Sequence, residues 1–161
     1  MPYEPTSAPA ESGGERPDFD PKRYWEDRLE GTFTLGGVGW FGLGESFNRW
    51  MYRVRRRVFS RTARQVVGNL STARVLDVGS GTGFYIERWR ELGVNDITGV
   101  DLTDVAVAGL SKRFPGHHFE QVDITAGTGT LSGESFDAIS IVDVLFHIVD
   151  DAGYELSLIH I

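Results

Sequence analysis

Short apolar runs alternate with amphipathic stretches over the second half of the chain. Four runs predict buried strands: Arg74–Val78, Ile97–Val100, His118–Val122 (the weakest) and Ile139–Val142. Between them, Phe84–Leu92 and Asp104–Phe114 carry apolar residues at helical spacing, whereas Thr125–Ser135 is rich in Gly, Thr and Ser and predicts a connecting loop. Because strands that alternate with helices form βαβ units, the pattern predicts an α/β fold with a doubly wound, mainly parallel sheet and helices on both faces.

The N-terminal region begins with a polar segment. Residues 1–19 are rich in Pro, Glu, Ser and Gly, a composition that predicts a disordered tail. Asp20 followed by Pro21 is typical of a helix N-cap and a first helical residue, and the predicted helix runs through Trp25 to Gly31.

A second helix is predicted from Glu45 to about Leu70, after an irregular loop at 31–44 in which glycines are mixed with aromatic residues. It carries an apolar stripe at a spacing of four residues: Trp50, Val54 and Val58. Its arginine cluster consists of Arg53, Arg55, Arg56, Arg57, Arg61 and Arg64. We interpret the cluster as a solvated helix face, with an acidic substrate or carrier as the alternative. The N-terminal helical region, residues 20–70, either packs against the sheet edge or acts as a lid that uses Tyr24, Trp25 and Trp40.

The chain stops soon after its fourth predicted strand, although doubly wound domains usually have more strands. Leu156–Ile161 form an apolar tail that does not continue the helix chemistry begun at Asp150 and Asp151. We therefore expect a truncated chain with a partial domain at 71–155, from which the C-terminal strands are missing, and a non-native tail at 156–161.

Composition narrows the possible functions. The chain has no cysteine, which excludes disulfides, thiolate metal sites and cysteine nucleophiles. Its net charge is −7 and most acidic residues follow position 70, so no nucleic-acid partner is expected. No apolar run approaches the roughly 18–20 residues needed to cross a bilayer. The N-terminus has no apolar signal region. We therefore expect a cytoplasmic protein that has no membrane partner.

A glycine-rich segment, Asp77–Gly83, joins the first predicted strand to the helix after it. Glycines let the backbone turn tightly and let a ligand approach without a Cβ in the way, and the first N–H groups of the helix suit a carboxylate or phosphate. The glycines at 79, 81 and 83 have the spacing Gly-x-Gly-x-Gly, which differs from the dinucleotide-binding pattern Gly-x-Gly-x-x-Gly. Asp77, two positions before the first glycine, suits a cationic amino group and would repel a pyrophosphate.

The stretch Val75–Gly83 resembles motif I of the class I S-adenosylmethionine-dependent methyltransferases, whose sheet is Rossmann-like. The resemblance implies that the glycine loop, Gly79, Ser80, Gly81 and Gly83, lies against the methionine part of the cofactor S-adenosyl-L-methionine. It also implies that Asp77 helps to hold the amino group of the cofactor, often through water.

Two further acids follow the second and third predicted strands. Asp101 lies roughly 20 residues beyond the glycine loop, where Rossmann-like sites place an acid on the ribose, and its carboxylate can accept both hydroxyls. It can also cap the next helix, which is a compatible role. Leu102 would offer an apolar face to the adenine. The resemblance places Asp123 near the adenine amine and the Ile124 N–H towards the ring, while a plain turn residue is the alternative for Asp123.

The segment Phe136–Ile148 is typical of the same family, with Phe-Asp before an apolar strand and then an aromatic residue and His. The resemblance places Val142 and Asp143 where the strand opens onto the transferring methyl, and a backbone carbonyl there commonly accepts from the amino group of the cofactor. His147 is a weak candidate for a general base, because an imidazole titrates near neutral pH. The favoured interpretation of His147 is packing behind the site.

These motifs predict S-adenosylmethionine-dependent methyl transfer to an oxygen or nitrogen of a small-molecule acceptor by direct displacement. No metal site is predicted, and the acceptor, the catalytic residue and the oligomeric state stay open. Two alternatives remain: a nicotinamide-dependent Rossmann oxidoreductase, and a cofactor-binding fragment without catalytic activity.

Overall fold

The computed structural model describes residues 20–31, 33–34, 44–148 and 151–160. Several sequence predictions fall outside these residues: the disordered tail at 1–19, most of the loop at 31–44 with Trp40, and Asp150.

Two helices precede the sheet: α1, Pro21–Gly31, and α2, Gly44–Val66. The Arg23 N–H donates to Oδ1 of Asp20 at 3.1 Å, which confirms Asp20 as the N-cap of α1. Helix α2 ends before the predicted Leu70, because Asn69 forms a side-chain turn in which its Oδ1 accepts from the Ser71 N–H at 3.2 Å and hydroxyl at 2.9 Å.

Four parallel strands form the sheet: β1, Arg74–Val78; β2, Asp96–Asp101; β3, His118–Gln121; and β4, Ala138–Ile141. Their spatial order is β3-β2-β1-β4. The strands β1, β2 and β3 thus follow one another towards one edge of the sheet, and β4 lies on the other side of β1. All four strands are confirmed near their predicted bounds. The reversal between β1 and β4 is a topological switch point, where open α/β sheets bind ligands at the carboxyl ends of their strands.

Side chains from alternate positions of β1 pack on opposite faces of the sheet. On one face, Val75 belongs to a core that α2, α3 (Phe84–Glu91) and α4 (Asp104–Arg113) cover. On the other face, Leu76 and Val78 pack with Val100 and Val122 beneath residues of the β3–β4 connection. That connection contains a 3-10 turn at Gly129–Leu131, which agrees with the predicted loop at Thr125–Ser135.

Helix α2 presents a different face to the core than its apolar stripe suggests. Trp50, Val54 and Val58 are exposed at 59%, 41% and 58% of their surface. The buried side of the helix instead carries Tyr52 and Ala63. The stripe faces outward because the neighbouring helix α3 offers aromatic side chains to the Tyr52 side of α2.

The chain ends in a helix, α5, Asp151–His160. The helix runs through most of the segment predicted as an apolar tail at 156–161. Whether that segment is native stays a prediction. Among the described helices, none is both long and apolar enough to cross a membrane.

Candidate functional site

A cavity of about 550 Å³ opens at the carboxyl ends of the four strands. Each strand contributes residues from the one to three positions after its end: Gly79 and Ser80 after β1, Leu102 after β2, Asp123 and Ile124 after β3, and Val142 and Asp143 after β4. Asp101, the last residue of β2, also lines the cavity. Of the residues predicted to bind cofactor, only Asp77 and Gly83 do not line it. Strand polarity brings these distant positions together, because parallel strands end at one edge of the sheet.

The glycine loop is held against the end of β2. The N–H groups of Gly79 and Ser80 donate to the Val100 carbonyl at 2.8 and 3.0 Å. All three glycines of the loop have positive φ, 69°, 50° and 83° at Gly79, Gly81 and Gly83, which other residues rarely adopt. A Cβ on Gly79 would overlap Val144, so the loop has no room for a side chain at this point.

Gly83 is buried and ends the loop at the start of α3. A Cβ there would lie 2.5 Å from Cε2 of Phe114 and 2.7 Å from Cδ2 of Leu110. The observed contacts of Gly83 are therefore with the core beneath α4.

Asp101 joins the glycine loop to the start of α4. Its Oδ2 accepts from the Gly81 N–H at 2.8 Å. Its Oδ1 accepts from both the N–H and the hydroxyl of Thr103, at 3.0 and 2.8 Å. Thr103, whose Oγ1 accepts from the Ala106 N–H, is the N-cap of α4, so Asp101 is not itself the cap. A carboxylate has about four acceptor positions, which leaves one on Oδ2 of Asp101 for a ligand.

Asp123 has the same local arrangement after β3, but it is exposed. Its Oδ1 accepts from the N–H and hydroxyl of Thr125 at 2.9 and 2.6 Å. The two roles considered for Asp123, a turn residue and a contact to the adenine amine, are thus compatible. Its Oδ1 stabilises the turn, and the residue also lines the cavity.

Asp77 lies under the loop, and only 2% of its surface is exposed. Its Oδ1 accepts from the Ser140 hydroxyl at 2.5 Å, while its Oδ2 is buried and has no hydrogen-bond partner among the described residues. Burial raises the pKa of Asp77 to about 7, the nearby hydroxyls of Ser140 and Ser80 lower it, and the charge of Asp101 raises it. The Ser80 hydroxyl itself donates to the backbone carbonyl of Asp77 at 2.9 Å. The carboxyl is therefore partly protonated at neutral pH and ready to ionise if a cation arrives.

The residue that follows Val142 at the end of β4 has an unusual backbone. Asp143 has a φ of 61°, and it is the one positive value among the non-glycine residues that the structure describes. Its carboxylate forms an ion pair with Arg55 of α2. The pair links the helical region to the strand end where the cavity opens.

Aromatic and basic side chains from the N-terminal helices form the remaining wall. They are Trp25 and Arg28 from α1 and Tyr52 and Arg55 from α2, and Tyr85 from α3 lines the cavity as well. Burial raises the pKa of Tyr85 to about 12, so its hydroxyl stays neutral. Burial also raises the pKa of Tyr52. Sequence reasoning missed Tyr52 and Tyr85, and it named Arg55 only as one of the arginine cluster. Tyr52, Arg55 and Phe59 lie at helical spacing and could have indicated a second inward face of α2.

His147 lies in a 3-10 turn at Leu145–His147 and lines the cavity. Its ring meets Trp25 edge-on, with 4.9 Å between the ring centroids. Burial lowers the pKa of His147, and Asp143 opposes that shift. The ring is therefore neutral near pH 7, and it combines the predicted packing with a position on the cavity wall.

The described residues contain no group of three or more His, Asp or Glu side chains that could hold a metal ion.

Comparisons with known proteins agree with this geometry. Residues 75–159 match the model of a family described as "Methyltransferase domain". DesVI of Streptomyces venezuelae has a similar fold, with a TM-score of 0.54 and 20% identity over 66% of this chain and 43% of that one. CalS10, an S-adenosylmethionine-bound amino pentose methyltransferase from Micromonospora echinaspora, has a TM-score of 0.53 and 22% identity over 66% of this chain and 43% of that one.

The sugar N-methyltransferase KedS8 from Streptoalloteichus sp ATCC 53650 gives a TM-score of 0.50 and 21% identity over 98% of this chain and 52% of that one. The chain thus spans about half the length, or less, of these solved structures. No protein with curated annotation matches it.

Proposed function

The chain belongs to the methyltransferase domain family, and on that premise we propose that it binds S-adenosylmethionine and directs methyl transfer to a small-molecule acceptor. One observation carries the proposal: the residues that follow all four strands line a single cavity, in the order that the family resemblance implies.

The chemistry of the wall fits such a cofactor. Gly79 and its neighbours Ser80 and Gly81 line the cavity, and at Gly79 the positive φ and the contact with Val144 both require glycine. Asp101 keeps one acceptor position for a ribose hydroxyl, rather than the two that its sequence position suggests. Leu102, Asp123 and Ile124 form the part of the wall assigned to the adenine. The buried Oδ2 of Asp77 is an acceptor in need of a donor, as an amino group would provide.

The bound cofactor supplies a methyl group on a positively charged sulfur. In the displacement, an oxygen or nitrogen lone pair of the acceptor forms the bond to the methyl carbon, the carbon–sulfur bond breaks, and its electron pair stays on sulfur. The proton of the acceptor then passes to a base or to water. Such a reaction depends mainly on alignment and on the exclusion of water.

The N-terminal helices provide the surface for the acceptor in this proposal. Trp25 of α1 and Tyr52 of α2 line the cavity together with Tyr85 of α3, and the charge of Asp143 acts on both tyrosine hydroxyls. Aromatic faces stabilise cations, so they suit a site that holds a sulfonium. His147 is neutral near pH 7 and remains the candidate to accept a proton. The ion pair between Arg55 and Asp143 would fix the position of α2 over the acceptor.

Titration calorimetry with S-adenosylmethionine, S-adenosylhomocysteine and NAD⁺ tests the proposal. We expect micromolar binding of the first two ligands and none of the third. Gly79→Ala should abolish binding because its Cβ overlaps Val144, whereas Gly116→Ala, also at positive φ but in open space, should leave it intact. Micromolar NAD⁺ binding without S-adenosylmethionine binding would favour the oxidoreductase alternative instead.

Transfer of a labelled methyl group to panels of small amines and alcohols would then distinguish an active enzyme from a binding fragment.

A further inference from the structure

A chain of hydrogen bonds runs from the buried side of α3 to the carboxyl of Asp77. The Trp89 Nε1–H donates to Oγ of Ser140 at 3.0 Å, and the Ser140 hydroxyl lies 2.5 Å from Oδ1 of Asp77. All three side chains are buried, and they come from α3, β4 and β1. Asp77 and Ser140 are register partners on adjacent strands, which brings their side chains to the same face of the sheet.

The direction of this chain follows from what each group can donate. An indole N–H only donates, so Trp89 must be the first member. The single hydroxyl proton of Ser140 has two acceptors within reach, Oδ1 of Asp77 at 2.5 Å and the Leu76 carbonyl at 3.4 Å. The shorter distance assigns the proton to Asp77. The indole therefore polarises a hydroxyl that donates to the carboxyl.

The other carboxyl oxygen has a different environment. Oδ2 of Asp77 is buried and accepts no hydrogen bond from the residues that the structure describes, and such an oxygen is costly while it carries charge. The groups that act on the pKa of Asp77 are Ser140 on β4, Ser80 in the glycine loop and Asp101 on β2; Tyr85 on α3 also interacts with its charge. None of these is a cation, so within the described part of the chain no positive charge acts on the Asp77 carboxylate.

We propose that Trp89 and Ser140 are positioning residues for the cofactor: they hold Oδ1 of Asp77 and leave Oδ2 as the acceptor that the amino group of the cofactor completes, directly or through water. This inference rests on the proposed function. Cofactor binding would then convert a partly protonated acid into a carboxylate, release a proton and become tighter as the pH rises through about 7.

The first arm of the test uses the apo protein and needs no cofactor. NMR would follow the carboxyl carbon of Asp77 and the indole N–H of Trp89 against pH. Both signals should titrate with one midpoint near 7 in the wild type. Ser140→Ala removes the donor to the carboxyl, so the midpoint should rise by about one to two pH units. Ser140→Thr keeps a hydroxyl and should restore the midpoint, and Trp89→Phe should shift it less than Ser140→Ala.

Two matched controls separate this effect from general loosening of the core. Ser157→Ala removes another buried serine, whose hydroxyl donates to the Tyr154 carbonyl at 2.7 Å, and Trp50→Phe changes an exposed tryptophan. Neither should move the Asp77 midpoint. An unchanged midpoint in Ser140→Ala, or in Trp89→Phe if Ser140→Ala does not fold, would overturn the inference.

The second arm measures cofactor affinity by calorimetry in buffers of different ionisation enthalpy. Wild type should release a proton on binding near pH 7, and Ser140→Ala should bind about fivefold or more weakly at that pH, with the gap closing as the pH rises. Binding without proton release would overturn this inference while the proposed function stands. Absence of any S-adenosylmethionine binding in the wild type would overturn both, and the apo titration would show whether Asp77 is nonetheless intact.

Discussion

Apolar patterning in the sequence predicts both the strands and the helix α2, but it predicts the buried side correctly only for the strands. At the strand ends, apolar runs predict β1 and β4 within a residue, and the residues that follow these strands line one cavity. In α2, a regular stripe of Trp50, Val54 and Val58 lies on the outside of the molecule. Periodicity therefore located both kinds of element but oriented only the strands.

The difference comes from how many neighbours constrain each element. Strand β1 has hydrogen-bonded partners on both edges and packed side chains on both faces, so its register leaves no freedom. Helix α2 is constrained on one side, where Tyr52 meets Phe84 with 4.8 Å between ring centroids and Phe59 meets both Tyr85 and Trp89 at 4.9 Å. A helix with two apolar faces buries the one for which a partner exists.

The largest loss of stability in the strand-end region is expected from adding a Cβ at Gly83. Gly83→Ala combines strain at a φ of +83° with overlap of Phe114 and Leu110, so it should lower the free energy of unfolding by about 2–5 kcal/mol. Gly93→Ala has a φ of +90° in open space and should cost only about 1–2 kcal/mol. Denaturant unfolding of the two variants measures the gap, and equal losses would show that the loop does not depend on its contact with α4.

The buried acid of this region should make stability depend on pH. The pKa of Asp77 is raised from 3.8 to about 7, so between these pH values the folded chain keeps a proton that the unfolded chain has lost. The free energy of unfolding that protonated Asp77 contributes is therefore full below pH 4, falls as the pH rises to about 7, and then levels off. Asp77→Asn removes this dependence, so the variant should gain up to about 4 kcal/mol relative to wild type between pH 4 and pH 8.

Urea unfolding across that pH range checks this expectation. Asp104→Asn, at an exposed acid in the first turn of α4, serves as the control and should follow the wild-type curve. Parallel curves for wild type and Asp77→Asn would contradict the assignment.

At the strand ends, the buried Asp101 and the exposed Asp123 should contribute differently to cofactor affinity. Asp101→Ala removes both the support of the Gly81 N–H and a ribose acceptor, so S-adenosylmethionine affinity should fall by about 1.5–3 kcal/mol. Asp123→Ala should weaken binding less, because that carboxylate is exposed and already hydrated. Calorimetry ranks the two, and an unchanged affinity in Asp101→Ala would remove this residue from the site.

The smallest change in the free energy of unfolding is expected for the exposed stripe of α2. The same substitution, Val to Ala, in the stripe and in β1 compares the two regions directly. Val75→Ala, at a fully buried position of β1, should lower the free energy of unfolding by about 1.5–3 kcal/mol. Val58→Ala should change it by less than about 0.5 kcal/mol, because the side chain is exposed. A large loss from Val58→Ala would mean that the stripe is covered in solution.

Much of the site was predictable because its residues have local signatures. The glycines of the loop, together with Asp101 and Asp123, each follow an apolar run that predicts a strand, and the residues after parallel strands lie at one edge of the sheet. The acceptor side was not predictable in this way. Tyr52, Arg55 and Tyr85 carry no motif, and they reach the cavity only because α2 turns its Tyr52 side towards α3.

The sequence by itself therefore determined the βαβ order, the strand ends and the family, since each depends on short segments and their spacing. Tertiary structure decided which face of α2 is buried and that Arg55 pairs with Asp143. It also decided that Asp77 lies beneath the loop, with one oxygen held by Ser140 and the other without a partner in the described part of the chain. These are long-range contacts between elements far apart along the chain. Packing fixes them only when the whole sheet and its helices are assembled.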